Sequence, residues 1–422
     1  MASSEKLAPS LYNGNISAVL WRKANTDDSS LKYYNYSYDA LNRITAATDD
    51  TGHYNLSNVG YDLNGNILGL DRKGHTNAGA TTFGDMDDLD YVYDSGNRLL
   101  KVTDGINGTA GQGGFRDANG NGVEYGYDTN GNMTSDANKG ITDIQYNHLN
   151  LPVAVAIDGG TISYVYDATG SKLKKIKTET GQNPKTVTEY ASGYVYEGND
   201  TATSLQFFNT AEGYVEPRNT EDLSQGYNYI YQYSDHLGNV RLSYTDADSD
   251  GAIDPNTEIV KESNYYPFGL EHKGYNGSVS ALGNSVAKRY MFGDKEYNQE
   301  LGLDWYDVTA RNYDPALGRW MNIDLLAEVQ EDFTPYHYSY NSPITFSDPT
   351  GTIPVYQSTG QATTVINKDD PSQTYFIDDG YDFDFYVSDE DFQTIVNNSN
   401  GSVLPSSKLP ATTVARWVSE AT

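Results

Sequence analysis

Tyr91-Val-Tyr93-Asp94-Ser-Gly96-Asn97-Arg98 is the stretch on which the architecture turns, because it recurs along the chain. Tyr36-Ser-Tyr38-Asp39-Ala-Leu-Asn42-Arg43 and Tyr61-Asp62-Leu-Asn64-Gly65-Asn66 precede it. Tyr125-Gly-Tyr127-Asp128-Thr-Asn130-Gly131-Asn132, Tyr146-Asn147-His-Leu-Asn150 and Tyr164-Val-Tyr166-Asp167-Ala-Thr-Gly170 follow it. In an extended chain Tyr-x-Tyr sets both rings on one strand face. The Asn and Gly residues after the aspartate supply the positive φ that a tight hairpin turn requires. Alternating segments such as Arg98-Leu-Leu-Lys-Val-Thr and Lys172-Leu-Lys-Lys-Ile-Lys-Thr read as return strands with one buried face. Each unit therefore predicts a β-hairpin laid beside the next. The irregular spacing fits a core unit of roughly 20 residues with loop insertions.

Composition supports an all-β chain. Its 422 residues include 37 tyrosines and 40 glycines, and the aliphatic content is modest. Aromatic residues suit a pleated, half-buried surface. A formal net charge of −30 argues against direct nucleic-acid binding, which needs clustered Lys and Arg. The same charge suits solubility outside the cell and calcium loading. With no cysteine there are no disulfides, thiol nucleophiles or thiolate metal sites. No apolar run approaches the roughly 20 residues of a membrane helix. Met-Ala-Ser-Ser-Glu-Lys at the start has no apolar segment that could serve as a signal peptide. The repeat is already running by Leu11-Tyr-Asn-Gly-Asn-Ile, so the expectation is a chain that lacks its natural N-terminal part.

Four segments follow from these patterns. Residues 1–189 carry the regular hairpins, and 190–285 carry less regular ones such as Tyr229-Ile-Tyr231-Gln-Tyr233. A compact aromatic-rich block spans 286–351. Residues 352–422 form a small tail of mixed, acidic character, with helix starts expected at Ser388-Asp-Glu-Asp391 and from Thr412 to Glu420.

The motifs become specific in the third segment and just before it. They are Asp235-His-Leu-Gly-Asn-Val-Arg241, Tyr265-Tyr-Pro-Phe-Gly269 and Lys295-Glu-Tyr-Asn-Gln-Glu-Leu-Gly-Leu303. Ala310-Arg-Asn-Tyr-Asp-Pro-Ala-Leu-Gly-Arg-Trp320, Tyr338-Ser-Tyr-Asn-Ser-Pro343 and Asp348-Pro-Thr-Gly351 complete the series. Over roughly residues 11–351 this resembles the rearrangement-hotspot (RHS), or YD-repeat, family with its repeat-associated core domain.

The resemblance implies an all-β shell whose hairpins spiral into a hollow cocoon, partial in a chain of this length. The core domain would plug one end, and a variable C-terminal region, often a toxin, would be held inside. It also implies an aspartic-type autoprotease that cuts just beyond Asp-Pro-x-Gly. By motif position the family's two aspartates and assisting arginine fall on Asp324, Asp348 and Arg311. Two close carboxylates do not both ionise easily, so one would keep a proton while the other activates water. A guanidinium beside them would hold one ionised or polarise the scissile carbonyl. The plainer reading has both aspartates capping turns. Two departures stand out: Asp324 is followed by Leu325 where relatives commonly have proline, and Thr352 replaces a usually apolar residue. Implied partners are the remainder of a larger shell or a secretion apparatus, a toxin cargo and an immunity protein. The implied location is secreted or at the cell surface.

A second signal is Asp246-Ala-Asp248-Ser-Asp250-Gly251-Ala-Ile253-Asp254. Oxygens at loop positions 1, 3 and 5 with glycine at 6 match a calcium loop, although position 12 is Thr257 and Glu258 comes one residue late. Asp246, Asp248, Asp250 and Asp254 are the candidate ligands, against the alternative of an acidic surface turn. No other cofactor is called for. The six histidines are scattered without zinc spacing. Gly111-Gln-Gly-Gly114 lacks the Lys-Ser/Thr of a phosphate loop. The tail has no histidine, which excludes histidine-dependent nucleases and zinc deaminases for that segment. The competing function is a non-enzymatic adhesion or carbohydrate-binding scaffold whose tyrosine faces contact glycans.

Overall fold

The carboxylate that follows the tyrosines closes each turn. In a computed structural model of the chain, Asp94 Oδ1 accepts from the backbone N–H of Gly96 at 2.8 Å and of Arg98 at 2.9 Å. Asp39, Asp62, Asp128, Asn147 and Asp167 make the same pair of bonds, to the second and fourth residues after themselves. The left-handed position within the turn falls on Asn42, Gly65, Asn97, Gly131, Asn150 or Gly170. Only glycine and asparagine adopt that conformation cheaply. Asp235, in Asp-His-Leu-Gly-Asn, caps Leu237 and Asn239 in the same way, so this motif is a further copy of the repeat turn.

The tyrosine directly before the turn's Asp or Asn ties a unit to the one before. Tyr61 Oη donates to the carbonyl of Ile44 at 2.6 Å, Tyr93 to Ile67 at 2.7 Å, Tyr38 to Ile16 at 2.8 Å and Tyr146 to Met133 at 2.5 Å. The amides of Asn64 and Asn66 both reach Asn97 Oδ1, and those of Asn130 and Asn132 both reach Asn150 Oδ1. One motif thus supplies the ring to bury, the turn, and the link to its neighbour.

The structure describes residues 8–9, 11, 13–21, 31–106, 113–118, 122–274, 282–356, 362–367, 374–378, 384–388 and 393. Among these, the hairpins assemble into a seven-stranded sheet from Ala18–Trp21 to Leu99–Asp104 and a thirteen-stranded sheet from Tyr125–Tyr127 to Ile259–Glu262. In both, each strand pairs antiparallel with the next in sequence. The second sheet runs without a break across residue 190. Among the described residues the complete elements are all β-strands and short 3-10 turns. The chain divides into two compact units, residues 1–355 and 356–422. In the second, Ala362–Asn367 pairs antiparallel with Thr374–Asp378 and parallel with Asp384–Val387. The expected helix starts near 388 and 412 fall largely outside the described residues.

The first unit has one principal core. Ile44, Leu70 and Leu89 from the first sheet and Ile144, Val155 and Ile162 from the second pack with Phe268, Trp305, Leu317 and Met321. The four-stranded sheet Glu296–Asn298, Trp305–Val308, Arg311–Asp314 and Arg319–Trp320 joins this core through Trp305. Buried ions pin it in place. Arg72 pairs with Asp87 at 2.6 Å and donates to the carbonyl of Ala316 at 2.8 Å. Lys139 pairs with Asp314 at 2.8 Å, and Lys175 reaches Glu296, Asn298 and Glu300 within 2.7 Å. Removing one partner of such a pair would strand a buried charge at a cost of about 3–5 kcal/mol.

Candidate autoprocessing site

Strand Arg311–Asp314 is buried along its whole length. A two-residue turn with Thr309 in the left-handed region leads into it, and Val308 pairs with Arg311 across that turn. The Arg311 guanidinium lies over the Trp320 ring, 4.3 Å from its centroid. A guanidinium over an aromatic face gains cation–π attraction and still presents its N–H donors in one rigid plane.

Those neighbours are the two aspartates. Arg311 Nη2 is 2.8 Å from Asp324 Oδ2 and 3.0 Å from Asp348 Oδ2, and all three side chains are almost fully buried. The remaining carboxylate oxygens cap turns: Asp324 Oδ1 accepts from Leu326 N–H at 2.7 Å and Asp348 Oδ1 from Thr352 N–H at 2.9 Å. Turn capping and convergence on one guanidinium are therefore both present. Two carboxylates against one guanidinium leave a net negative charge in a desolvated place. Burial pushes the Asp324 carboxyl above its ordinary range, Arg311 opposes this, and the Asp348 charge adds to the rise. Buried His337 donates from Nδ1 to the Thr334 carbonyl. Burial pushes its pKa down to about 4, so it is neutral at pH 7 and adds no positive charge.

The backbone after Asp-Pro-Thr-Gly enters this cluster. Arg311 Nε donates to the carbonyl of Gly351 at 2.6 Å, and Nη2 lies 3.3 Å from the carbonyl of Thr352. The peptide between Gly351 and Thr352 is held at both ends, its oxygen by Arg311 and its nitrogen by Asp348. Gly351 has φ +74°, and a Cβ there would stand 2.5 Å from the carbonyl oxygen of Val308. No side chain fits, which is the physical reason for glycine at this position.

Gln330 also belongs to the site, and no sequence signal marked it. Its Nε2 lies 3.3 Å from Asp324 Oδ2 and 3.4 Å from the Thr352 carbonyl. Trp320, the last residue of the Ala310–Trp320 motif, supplies the ring on which Arg311 rests.

In the acidic loop, Asp246, Asp248 and Asp250 present oxygens within 4.8 Å of one another. Asp254 is not among them, since its carboxylate accepts from the Asn256 amide and the Thr257 hydroxyl. Glu258 is buried and accepts from the N–H groups of Ala247 and Asp254 at 2.6 and 2.8 Å. It serves the backbone rather than offering the missing twelfth-position ligand. The histidines pack instead of clustering: His272 stacks on Tyr54, His53 stacks on Phe83, and His236 Nε2 lies 2.9 Å from the Ile344 carbonyl.

No protein-family model matches the chain. Two curated proteins are similar over part of it. Salivary gland surface protein 1 of Aedes aegypti is 25% identical over 241 residues, covering 54% of this chain and 7% of that protein. The tRNA3(Ser)-specific nuclease WapA of Bacillus spizizenii is 26% identical over 281 residues, covering 62% of this chain and 11% of the nuclease. The chain therefore spans about a tenth of the length of these relatives. The crystal structure of TcdB2-TccC3 superimposes with a TM-score of 0.51 at 17% identity, over 79% of this chain and 18% of that one. This likeness shows a shared β fold. No helix among the described residues is long and apolar enough to cross a membrane.

Proposed function

We propose that the protein is an RHS-type shell segment that cuts its own backbone at the peptide between Gly351 and Thr352, separating the hairpin wall from the C-terminal region. The single observation that carries this reading is the double grip on that peptide, with Arg311 on the carbonyl oxygen and Asp348 on the amide nitrogen. A donor on the carbonyl stabilises the oxyanion that forms there. The Asp348 carboxylate, which accepts from the N–H at that nitrogen, is placed to hand on to the leaving amine a proton taken from the nucleophile. The Asp324 carboxyl, held above its ordinary range, is suited to hold the proton that two buried carboxylates would share. The boundary between the two compact units falls a few residues beyond this peptide.

The wall would enclose or present the C-terminal region as cargo, as part of a larger secreted shell. The fold shared with TcdB2-TccC3 and the partial similarity to a tRNA-specific nuclease support that setting. The acidic loop would bind a calcium ion weakly through Asp246, Asp248 and Asp250, tying down one hairpin connection. Intact mass of the purified chain, beside Asp324→Asn and Asp348→Asn forms, tests the cleavage.

A second reading is a carbohydrate-binding scaffold. It is favoured by Tyr227, Tyr229, Tyr231 and Tyr233, all exposed on one face of a single strand. Binding to neutral glycans that is lost on Tyr229→Ala and Tyr233→Ala substitution, in a chain that stays intact, would reverse the order of the two readings.

A further inference from the structure

We propose that the nucleophile in the self-cleavage is the hydroxyl of Thr352 itself, so that the chain breaks through an ester intermediate. This rests on the self-cleavage reading and specifies its first step. Thr352 directly follows the doubly held peptide, at a position where an apolar residue would offer no oxygen. Its Oγ1 lies half-exposed, 2.8 Å from Thr350 Oγ1. A hydroxyl on the residue after a peptide bond reaches the preceding carbonyl carbon through a five-membered ring, by rotation about one side-chain bond. Such tethering replaces the cost of capturing a separate nucleophile.

The cluster is already full of protein donors. Asp324 accepts from Leu326 N–H, Arg311 and Gln330, and Asp348 accepts from Thr352 N–H and Arg311. All four carboxylate oxygens are thus engaged, whereas a hydroxyl fixed to the chain needs none of them to hold it in place.

The step balances without a redox partner. Thr352 Oγ1 adds to the carbonyl carbon of Gly351, and the hydroxyl proton passes to the Asp348 carboxylate. The negative charge develops on the Gly351 oxygen, against Arg311 Nε–H. Collapse breaks the C–N bond, and Asp348 returns the proton to the departing nitrogen. The product is an ester between Gly351 and the Thr352 side chain, with a free Thr352 amine. Solvent water then cleaves the ester, leaving a Gly351 carboxylate and an N-terminal threonine.

The test uses the full-length chain in neutral hydroxylamine, which attacks esters far faster than peptides. Wild type is expected to break several-fold faster with hydroxylamine than without it. Its larger fragment should end in a Gly351 hydroxamate, resolved by mass from the carboxylate. Thr352→Ser should still cleave and Thr352→Val should not. Valine is isosteric and keeps the backbone N–H and carbonyl, so an unchanged melting temperature excludes misfolding. Thr352→Val cutting at the wild-type rate, with no hydroxamate in wild type, overturns the threonine route and leaves water-driven self-cleavage standing. A wild-type chain that never breaks overturns both.

Discussion

Arg311 donates from Nε to the carbonyl oxygen of Gly351 at 2.6 Å, from a strand that reaches the cluster forty residues earlier in the chain. The contact depends on the absence of a side chain at Gly351, where a Cβ would collide with Val308. Gly351→Ala is therefore expected to displace the peptide from Arg311 and stop cleavage. Arg311→Lys keeps the charge but loses the planar fork and should also stop it. Intact mass after prolonged incubation, with circular dichroism to confirm folding, reads both. Cleavage by either variant at the wild-type rate would separate the chemistry from this contact.

The link between repeats predicts a graded stability effect. Tyr61→Phe and Tyr93→Phe each remove one phenol donor from a half-buried carbonyl and should cost about 1 kcal/mol. Tyr233, which is 65% exposed, should tolerate phenylalanine without change. Urea unfolding of the three variants checks the contrast. Equal midpoints would mean that the tyrosines contribute only ring burial.

Much of this was readable in advance, for a physical reason. The Tyr-x-Tyr-Asp-turn unit is local: its rings, its capping carboxylate and its positive-φ residue lie within about eight residues of one another, so period and turn chemistry suffice. The sheet order follows, because short hairpins pair with their neighbours. The site is different. Arg311 lies on a strand and Asp324 and Asp348 in two separate irregular segments, and their residue types alone carry no distance. The family resemblance singled them out, but the hold on the Gly351–Thr352 peptide is visible only in three dimensions. Gln330 lies in an irregular loop, where neither spacing nor motif distinguishes it. Glu258 shows the opposite failure: its place near the end of a calcium-like loop suggested a displaced ligand, while its burial turns it toward the backbone.

Asp136 gives a pH dependence of definite sign. Burial raises its carboxyl to about 6, Lys139 opposes this, and Asp314 adds to it. The folded state therefore binds this proton more tightly than the unfolded chain, whose aspartates titrate near 3.9. The stability contributed by the neutral form is present below about pH 4 and is lost as pH rises through 6. Asp136→Asn should stabilise the protein at pH 8 by up to about 3 kcal/mol, with the difference closing below pH 4. Denaturation of both forms across this range measures it. A constant difference at every pH would contradict the shifted carboxyl.

Calcium should raise the melting temperature, with an affinity in the ~10⁻⁴–10⁻³ M range of extracellular modules, since only three carboxylates converge. Asp248→Asn with Asp250→Asn should abolish the gain, and Asp254→Asn should leave it largely intact. Titration calorimetry of wild type without heat would remove the ion from the account.

The most direct test of self-cleavage is the intact mass of the purified 422-residue chain, followed over time at neutral pH. The account predicts that the 46.5 kDa species is replaced by one ending at Gly351 and one beginning at Thr352. Asp348→Asn, which loses the proton-carrying carboxylate at the amide nitrogen, should remain whole. A wild-type chain that stays at full mass, or that breaks at another bond, contradicts it.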